Sequence, residues 1–490
     1  MLRPASFGLV LGPALAVGLG PACAKPTSSE EAQYAEQPVA GATASRAEEE
    51  VVSDGEVSSG EAAASAGADS LDTRPEPPWE PTEDYLRFSG ACAEGPRATF
   101  AFGGDLLLHH ELQTQAYAAS TREGAAVIWA GIADLLAEPQ LTYLNLEGPM
   151  APGLDRDFLD VPDPGRSFDR VVYSGYPRFN YHPSIAKDLV RAGIDIVSTA
   201  NNHALDRGSV GVDRTIAGLR QAKLDFVGTR EAGADERWYT ITEVEGMKVG
   251  WVACTNNTNQ IPDDLDQVMR CGRGAGVAKV ISRLRATGRY AKRAPLVDAV
   301  IVTPHWGKEY VHEPREKEQV LAQKWIDAGA LAVIGSHPHV VQPWEKRVAE
   351  DGREGLVLYS LGNFASHQPE LPRRSSLLLY VELVRVPAGE DDAGEVRIAG
   401  VRYLPLHVRE DGGRYFVESV DRVGGPGDAR ALISRLLGPA NLVLPDEQKR
   451  GDPHCDPAWR PHPIPEWAAQ VEPAEIPAGA GTEATVEQPG

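Results

Sequence analysis

VIVTPHWG, residues 300–307, is an apolar, largely β-branched run that stops on a proline and a histidine. It is too short for a helix and too apolar for a surface segment. It therefore reads as a buried strand of the parallel kind, with His305 at its carboxyl end. The same grammar recurs on either side. AVIGSHPH (332–339) stops on His337 and His339, and FAFGGD (100–105) stops on Asp105. LTYLNLE (141–147) ends in Asn145 and Glu147, and DIVSTANNH (195–203) ends in Asn201, Asn202 and His203. Further short apolar runs lie at 249–254 and 356–359. Helical periodicity separates several of them. Residues 213–222 place Ile216 and Leu219 on one face, and 316–328 place Val320, Lys324 and Ala328 on one face. Strands alternating with helices predict an α/β layered domain. After Leu377 the pattern turns β-rich (377–386, 396–404, 415–420), which finishes the sheet or packs across it.

In α/β sheets, ligands bind beyond the carboxyl ends of the strands. Five strand ends each delivering a carboxylate, an amide or an imidazole converge there on one edge. The residue types suit a pair of divalent ions: imidazoles favour zinc, iron or manganese, and carboxylates or an amide oxygen suit the harder end of that series. Two such ions can clamp the attacking and leaving oxygens of a phosphoryl displacement. If His-Pro-His is extended, His337 and His339 face the same way. Taken singly, a histidine reads as a surface or core residue, and Asn-Asn-His followed by Asp206 and Gly208 as a turn and a helix cap. The recurrence of these motifs after successive strands carries the reading. His110, His182, His312, His407, His454 and His462 stand outside the pattern and read as surface or core residues.

The 490 residues carry a net charge of -22, unevenly distributed. Residues 27–84 hold fifteen acidic against two basic residues, in a context of Ala, Ser, Gly and Pro. They read as a disordered acidic tether, and 456–490 as a disordered tail. The body, 85–455, is only mildly acidic. No basic stripe exists, which excludes a nucleic-acid-binding surface. Residues 1–26 have the form of an export signal: Arg3, an apolar stretch over 7–19, then Pro21-Ala22-Cys23. Cys23 stands where a bacterial lipoprotein carries its lipid, although Gly20 replaces the usual Leu; simple secretion is the alternative. Cys92, Cys254, Cys271 and Cys455 then remain. They form either two disulfides, in any of three connectivities, or four buried thiols. Cys254 with Cys271 would close a short loop, and Cys92 with Cys455 would tie the ends of the body.

The five motifs, together with NNHALDRG, HWGKEY and YSLGNF, resemble the CapA family of poly-gamma-glutamate capsule synthesis proteins, a branch of the calcineurin-like metallophosphoesterases. The resemblance runs from about Ala98 to Phe364. It implies a four-layer sandwich with helices flanking mixed β-sheets, and two divalent metal ions (Mn, Zn or Fe). Carried over by motif, Asp105 and His339 would serve the first metal and Glu147 the bridging place. Asn202, His305 and His337 would serve the second. His203 resembles the leaving-group acid, with Asp206 as its hydrogen-bond acceptor. Two departures stand out: Leu107 replaces an expected histidine, and Glu147 replaces the usual aspartate. His109 fills the gap only if the chain turns helical after Asp105. Asn145, Asn201, Glu309 and Asn363 are further candidates, Trp306 and Tyr310 would line the pocket beside His305, and Arg178 would attract an anionic substrate. The implied protein is exported and anchored to the bacterial cell envelope through a lipid. It acts as a metal-dependent hydrolase on an anionic surface polymer or a phosphoester. The alternative is a non-catalytic anchored subunit that binds the polymer or a capsule synthase complex.

Overall fold

The computed structural model describes residues 85–456, apart from 119–122, 235–236, 273–275 and 388–393. The signal segment, the acidic tether and all of the tail beyond residue 456 lie outside the described residues.

Thirteen strands occur among the described residues: β1 (Arg97–Leu106), β2 (Leu141–Leu146), β3 (Ile196–Ser198), β4 (Asp225–Val227), β5 (Thr240–Val244), β6 (Met247–Thr255), β7 (Ala299–His305), β8 (Ala332–Ile334), β9 (Val341–Val348), β10 (Glu354–Leu361), β11 (Ser375–Val386), β12 (Glu395–Asp411) and β13 (Arg414–Ser419). They form two mixed sheets, ordered β13-β12-β11-β1-β2-β3-β4 and β5-β6-β7-β8-β10-β9. The first has a parallel half, β1-β2-β3-β4, joined at β1 to antiparallel β11; the second has a parallel centre, β6-β7-β8-β10, with antiparallel β5 and β9 at its two flanks. The β-rich segment after Leu377 extends the first sheet.

Period-two alternation assigns each strand two faces. Phe100, Phe102 and Tyr143 from the first sheet meet Trp251, Ile301 and Leu358 from the second in a shared central core. Tyr143 and Trp251 stack across it, with ring centroids 5.9 Å apart. The intervening residues face outward. Ala101, Leu144 and Tyr380 lie under α1 (His110–Ala118), α2 (Ala133–Ala137) and α3 (Ser184–Arg191). Val252, Val300 and Val357 lie under α5 (Gly276–Arg285) and α6 (Glu316–Ala328). The result is helix, sheet, sheet, helix: the four-layer α/β sandwich that the resemblance implies. The helix α4 (Gly208–Ala222) bridges the layers, with Ile216 in the central core and Leu219 in the outer one. The apolar face of α6 differs from the expected one. Trp325, Ile326 and Ala322 are buried, whereas Val320 is 60% exposed and Lys324 faces solvent. The bulky Trp325–Ile326 pair sets the orientation.

Cys92 is bonded to Cys455, and Cys254 to Cys271. No helix among the described residues is long and apolar enough to cross a membrane.

Candidate metal centre

The two sheets touch where β1 and β10 end. The Asp105 N–H donates to the Gly362 carbonyl oxygen (3.0 Å), and the Ala365 N–H donates to the Asp105 carbonyl oxygen (3.2 Å). A Cβ on Gly104 would stand 1.9 Å from that Gly362 oxygen, so only glycine permits the approach. Gly335 does the same against the Tyr359 carbonyl, 2.0 Å from where its Cβ would be. These contacts bring strand ends from both sheets to one point.

Asp105, Glu147, His305, His337 and His339 gather there, all buried. Two groupings of mutually close ligand atoms exist: Asp105, Glu147 and His305, and Glu147, His337 and His339. Glu147 is common to both. His305 Nε2 lies 2.8 Å from Asn202 Oδ1 and 3.0 Å from His337 Nδ1, the spacing kept by donors about 2 Å from one cation. His339 Nε2 and His305 Nε2 lie 3.8 and 3.5 Å from Glu147 Oε1. His337 and His339 reach the centre by a different route from the expected extended one. Both hold left-handed backbone, φ 100° and 58°, a strained state for histidine that clusters at functional sites.

Both carboxylate oxygens of Glu147 are buried without a hydrogen-bond partner. An orphaned buried carboxylate is costly unless a cation meets it. Burial and the Asp105 charge raise the Glu147 carboxyl well above the usual carboxylate range. Burial opposes a charged His339, but Glu147 and Asp105 outweigh it and raise the ring to about 9. Both shifts have one direction: the centre is short of positive charge. Burial, reinforced by neighbouring imidazoles, holds His305 well below its ordinary range and His337 at about 4. Neutral imidazoles are the ligand-competent form. The residues present therefore fit divalent cations.

Surrounding groups orient this set. Asn145 Nδ2 donates to Asp105 Oδ1 (2.7 Å), and Asn201 Nδ2 donates to the Leu146 carbonyl (2.8 Å). His339 Nδ1 lies 2.9 Å from Asn363 Oδ1, whose amide also donates to the Arg373 carbonyl. His203 Nδ1 sits 2.7 Å from Asp206 Oδ2, which also accepts the Phe179 N–H. That pairing assigns the Nδ1 proton to Asp206 and leaves Nε2 free. Glu309 is partly exposed, and its charge acts on Glu147, His337 and His339.

Other candidates are not among the grouped ligand atoms. β1 continues through Leu106 and the chain is then irregular until α1 begins at His110, so no helical turn carries His109 round to Asp105. Its Nδ1 lies 3.1 Å from the Leu107 carbonyl, and burial holds the ring at about 4. Leu107 packs into the outer core. Trp306 does not line the pocket. It is fully buried on the far side of β7, stacked on Trp325 and donating to the Tyr359 carbonyl. Alternation past His305 turns it away from the centre. Tyr310 is 39% exposed, with its ring 6.1 Å from that of His339. Arg178 donates to the Arg156 carbonyl and lies over the Phe158 ring. Asn259 and Ser336, which sequence reasoning missed, touch the set directly: Asn202 Nδ2 donates to Asn259 Oδ1 (3.2 Å), and Ser336 Oγ lies 3.1 Å from His305 Nδ1.

A family model described as bacterial capsule synthesis protein PGA_cap matches residues 99–368. The chain is 30% identical over 215 residues to the capsule biosynthesis protein CapA of Bacillus anthracis, covering 42% of this chain and 49% of that protein. It is 28% identical over 234 residues to the PGA biosynthesis protein CapA of Bacillus subtilis, covering 45% and 55%. A probable polyglutamine synthesis accessory protein of Mycobacterium tuberculosis is 25% identical over 241 residues, covering 47% of this chain and 60% of that one. The chain spans about half the length of the curated relatives it matches.

Proposed function

The chain belongs to the bacterial capsule synthesis protein family, and from that premise we propose that its buried centre is a metal-dependent hydrolase site of phosphoesterase type serving surface-polymer synthesis. The observation that carries the proposal is Glu147, a buried carboxylate without a hydrogen-bond partner at the meeting point of Asp105, His305, His337 and His339. Asp105, Glu147 and His339 would hold one ion, and Asn202, His305 and His337 a second, with Glu147 between them. Bound divalent ions lower the pKa of coordinated water and polarise a phosphoryl oxygen. The protein's own part is positional. Asp206 accepts from His203 Nδ1 and orients the ring; when Nε2 also carries a proton, His203 can pass that proton to the leaving oxygen. Burial keeps the His305 and His337 imidazoles neutral and ready to bind.

In this reading the protein is exported and held at the cell envelope by a lipid on Cys23. Its substrate is an anionic surface polymer or a phosphoester, and it works beside a capsule synthase complex. The two disulfides agree with an oxidising compartment.

The test uses the purified chain with manganese or zinc and generic phosphodiester and monoester substrates. The expected outcome is at least one bound ion per chain and a hydrolysis rate abolished by Asp105→Ala and by His305→Ala. Less than one ion per chain, or hydrolysis that survives both substitutions, overturns the proposal. One observation favours the alternative of a non-catalytic, polymer-binding subunit: Leu107 and His109 leave the first ion short of a ligand. Metal bound at full occupancy, with no hydrolysis of any ester tested, would decide for it.

A further inference from the structure

The segment 256–270 leaves the end of β6 and returns beside it, with the Cys254–Cys271 disulfide across its base. Its shape is over-determined. The Thr255 N–H donates to the Met269 carbonyl and the Cys271 N–H to the Thr255 carbonyl. Asp263 accepts the N–H groups of Gln267 (2.8 Å) and Val268 (2.9 Å) through its two oxygens. Arg270 ties Thr258 Oγ1 and the Asn256 carbonyl together, each at 2.9 Å. Asn259 stands near the start of the segment, held in left-handed backbone (φ 48°), with its N–H on Asn257 Oδ1.

The Asn259 side chain meets two residues of the centre. Asn259 Oδ1 accepts from Asn202 Nδ2 at 3.2 Å, while the Asn259 amide nitrogen lies 3.3 Å from His203 Nδ1. The first contact has a chemical consequence. An asparagine amide has one oxygen and one nitrogen end, and only the oxygen ligates a cation. An acceptor placed against the nitrogen end compels the oxygen end to face the other way, and Asn202 Oδ1 indeed points at His305 Nε2, 2.8 Å away. The second contact is looser than the 2.7 Å pairing of His203 with Asp206, and His203 Nδ1–H goes on donating to the carboxylate.

We propose that Asn259 is a positioning residue that selects the ligating end of the Asn202 amide and thereby sets cation affinity at the Asn202–His305–His337 position. The proposal rests on the metal reading above and adds to it a group outside every ligand motif. The disulfide-based loop is the device that holds Asn259 in place.

Cobalt(II) alone serves as the probe, titrated into the full chain and followed by its visible d–d absorption. Asn259→Ala is expected to weaken uptake at this position by about 10–100-fold, the usual effect of removing a partner of a ligand. Asn259→Asp keeps an acceptor for Asn202 Nδ2 and is expected to stay within a few-fold of wild type. In an Asn202→Ala background, Asn259→Ala should cost nothing further, because its effect passes through Asn202. Equal affinity in wild type and Asn259→Ala overturns the proposal alone, as does an undiminished Asn259→Ala effect in the Asn202→Ala background. A loss with Asn259→Asp as large as with Asn259→Ala also overturns it. Wild-type chain that gives no cobalt signature overturns the metal reading and this proposal with it.

Discussion

Replacing Glu147 with glutamine should reverse sign with metal. The substitution keeps the shape and removes the charge. In metal-free protein the wild-type carboxylate is buried beside Asp105, with neither oxygen satisfied. Glutamine carries no charge against Asp105 and its amide can donate to that carboxylate, an exchange worth about 1–3 kcal/mol. Unfolding entropy near 2.1 cal/mol/K per residue over about 360 residues gives roughly 0.8 kcal/mol per degree. In chelator, Glu147→Gln should therefore melt about 1–4 °C above wild type. Saturating metal has the opposite effect. An ion at a hundred times its dissociation constant stabilises wild type by about 2.7 kcal/mol, or about 3–4 °C, and the variant loses most of that. The two melting curves should thus exchange order between chelator and metal, a result read directly by differential scanning fluorimetry or calorimetry. A variant less stable than wild type in chelator would show that the carboxylate is satisfied without a cation. A metal-induced shift equal in both proteins would remove Glu147 from the ligand set. Either result refutes the reasoning.

Asp206→Ala removes the one oxygen that accepts from both the Phe179 N–H and the His203 ring, so the His203 tautomer is no longer fixed. Hydrolysis should fall about 10²–10⁴-fold, the usual share of a general acid, with metal content by elemental analysis unchanged. Trp325→Ala empties the outer core beneath α6, where Trp325 stacks on Trp306. It should cost about 3–5 kcal/mol in denaturant unfolding. His407 is buried with Nδ1 unpartnered, and burial, then Arg374, lowers its ring to about 4. The unfolded chain takes up this proton first, so stability should fall as pH drops from about 6.5 to 4, by at most about 3 kcal/mol. Urea titrations across that range should show a shallower decline in His407→Asn.

The strand ends were legible because burial on both faces leaves an uninterrupted apolar run, and a polar residue at its end has no structural reason to be there. That logic finds β1, β2, β3, β6, β7, β8 and β10, and with them Asp105, Glu147, Asn202, His305, His337 and His339. It misses β4 and β5, which are short and partly exposed, and β9, whose VQPWEKRV alternates too weakly to register. The amphipathic face of α6 was misread because spacing alone ranks Val320 with Ala328, whereas the volume of Trp325 decides which side is buried. Trp306 was misplaced for a related reason: adjacency in sequence to His305 means opposite faces in a strand. Asn259 carried no signal, because TNNTN reads as an ordinary turn. Only the fold brings it against Asn202.

The bond between Cys92 and Cys455 spans 363 residues and gives the body a mechanical property. Strands β1 to β13 lie inside a closed covalent ring. Tension applied between chain positions before Cys92 and after Cys455 is borne by one S–S linkage and never reaches the hydrogen-bonded ladders. A load that would unzip an unstapled sandwich from its ends leaves this one, and the strand ends that hold its centre, unstretched.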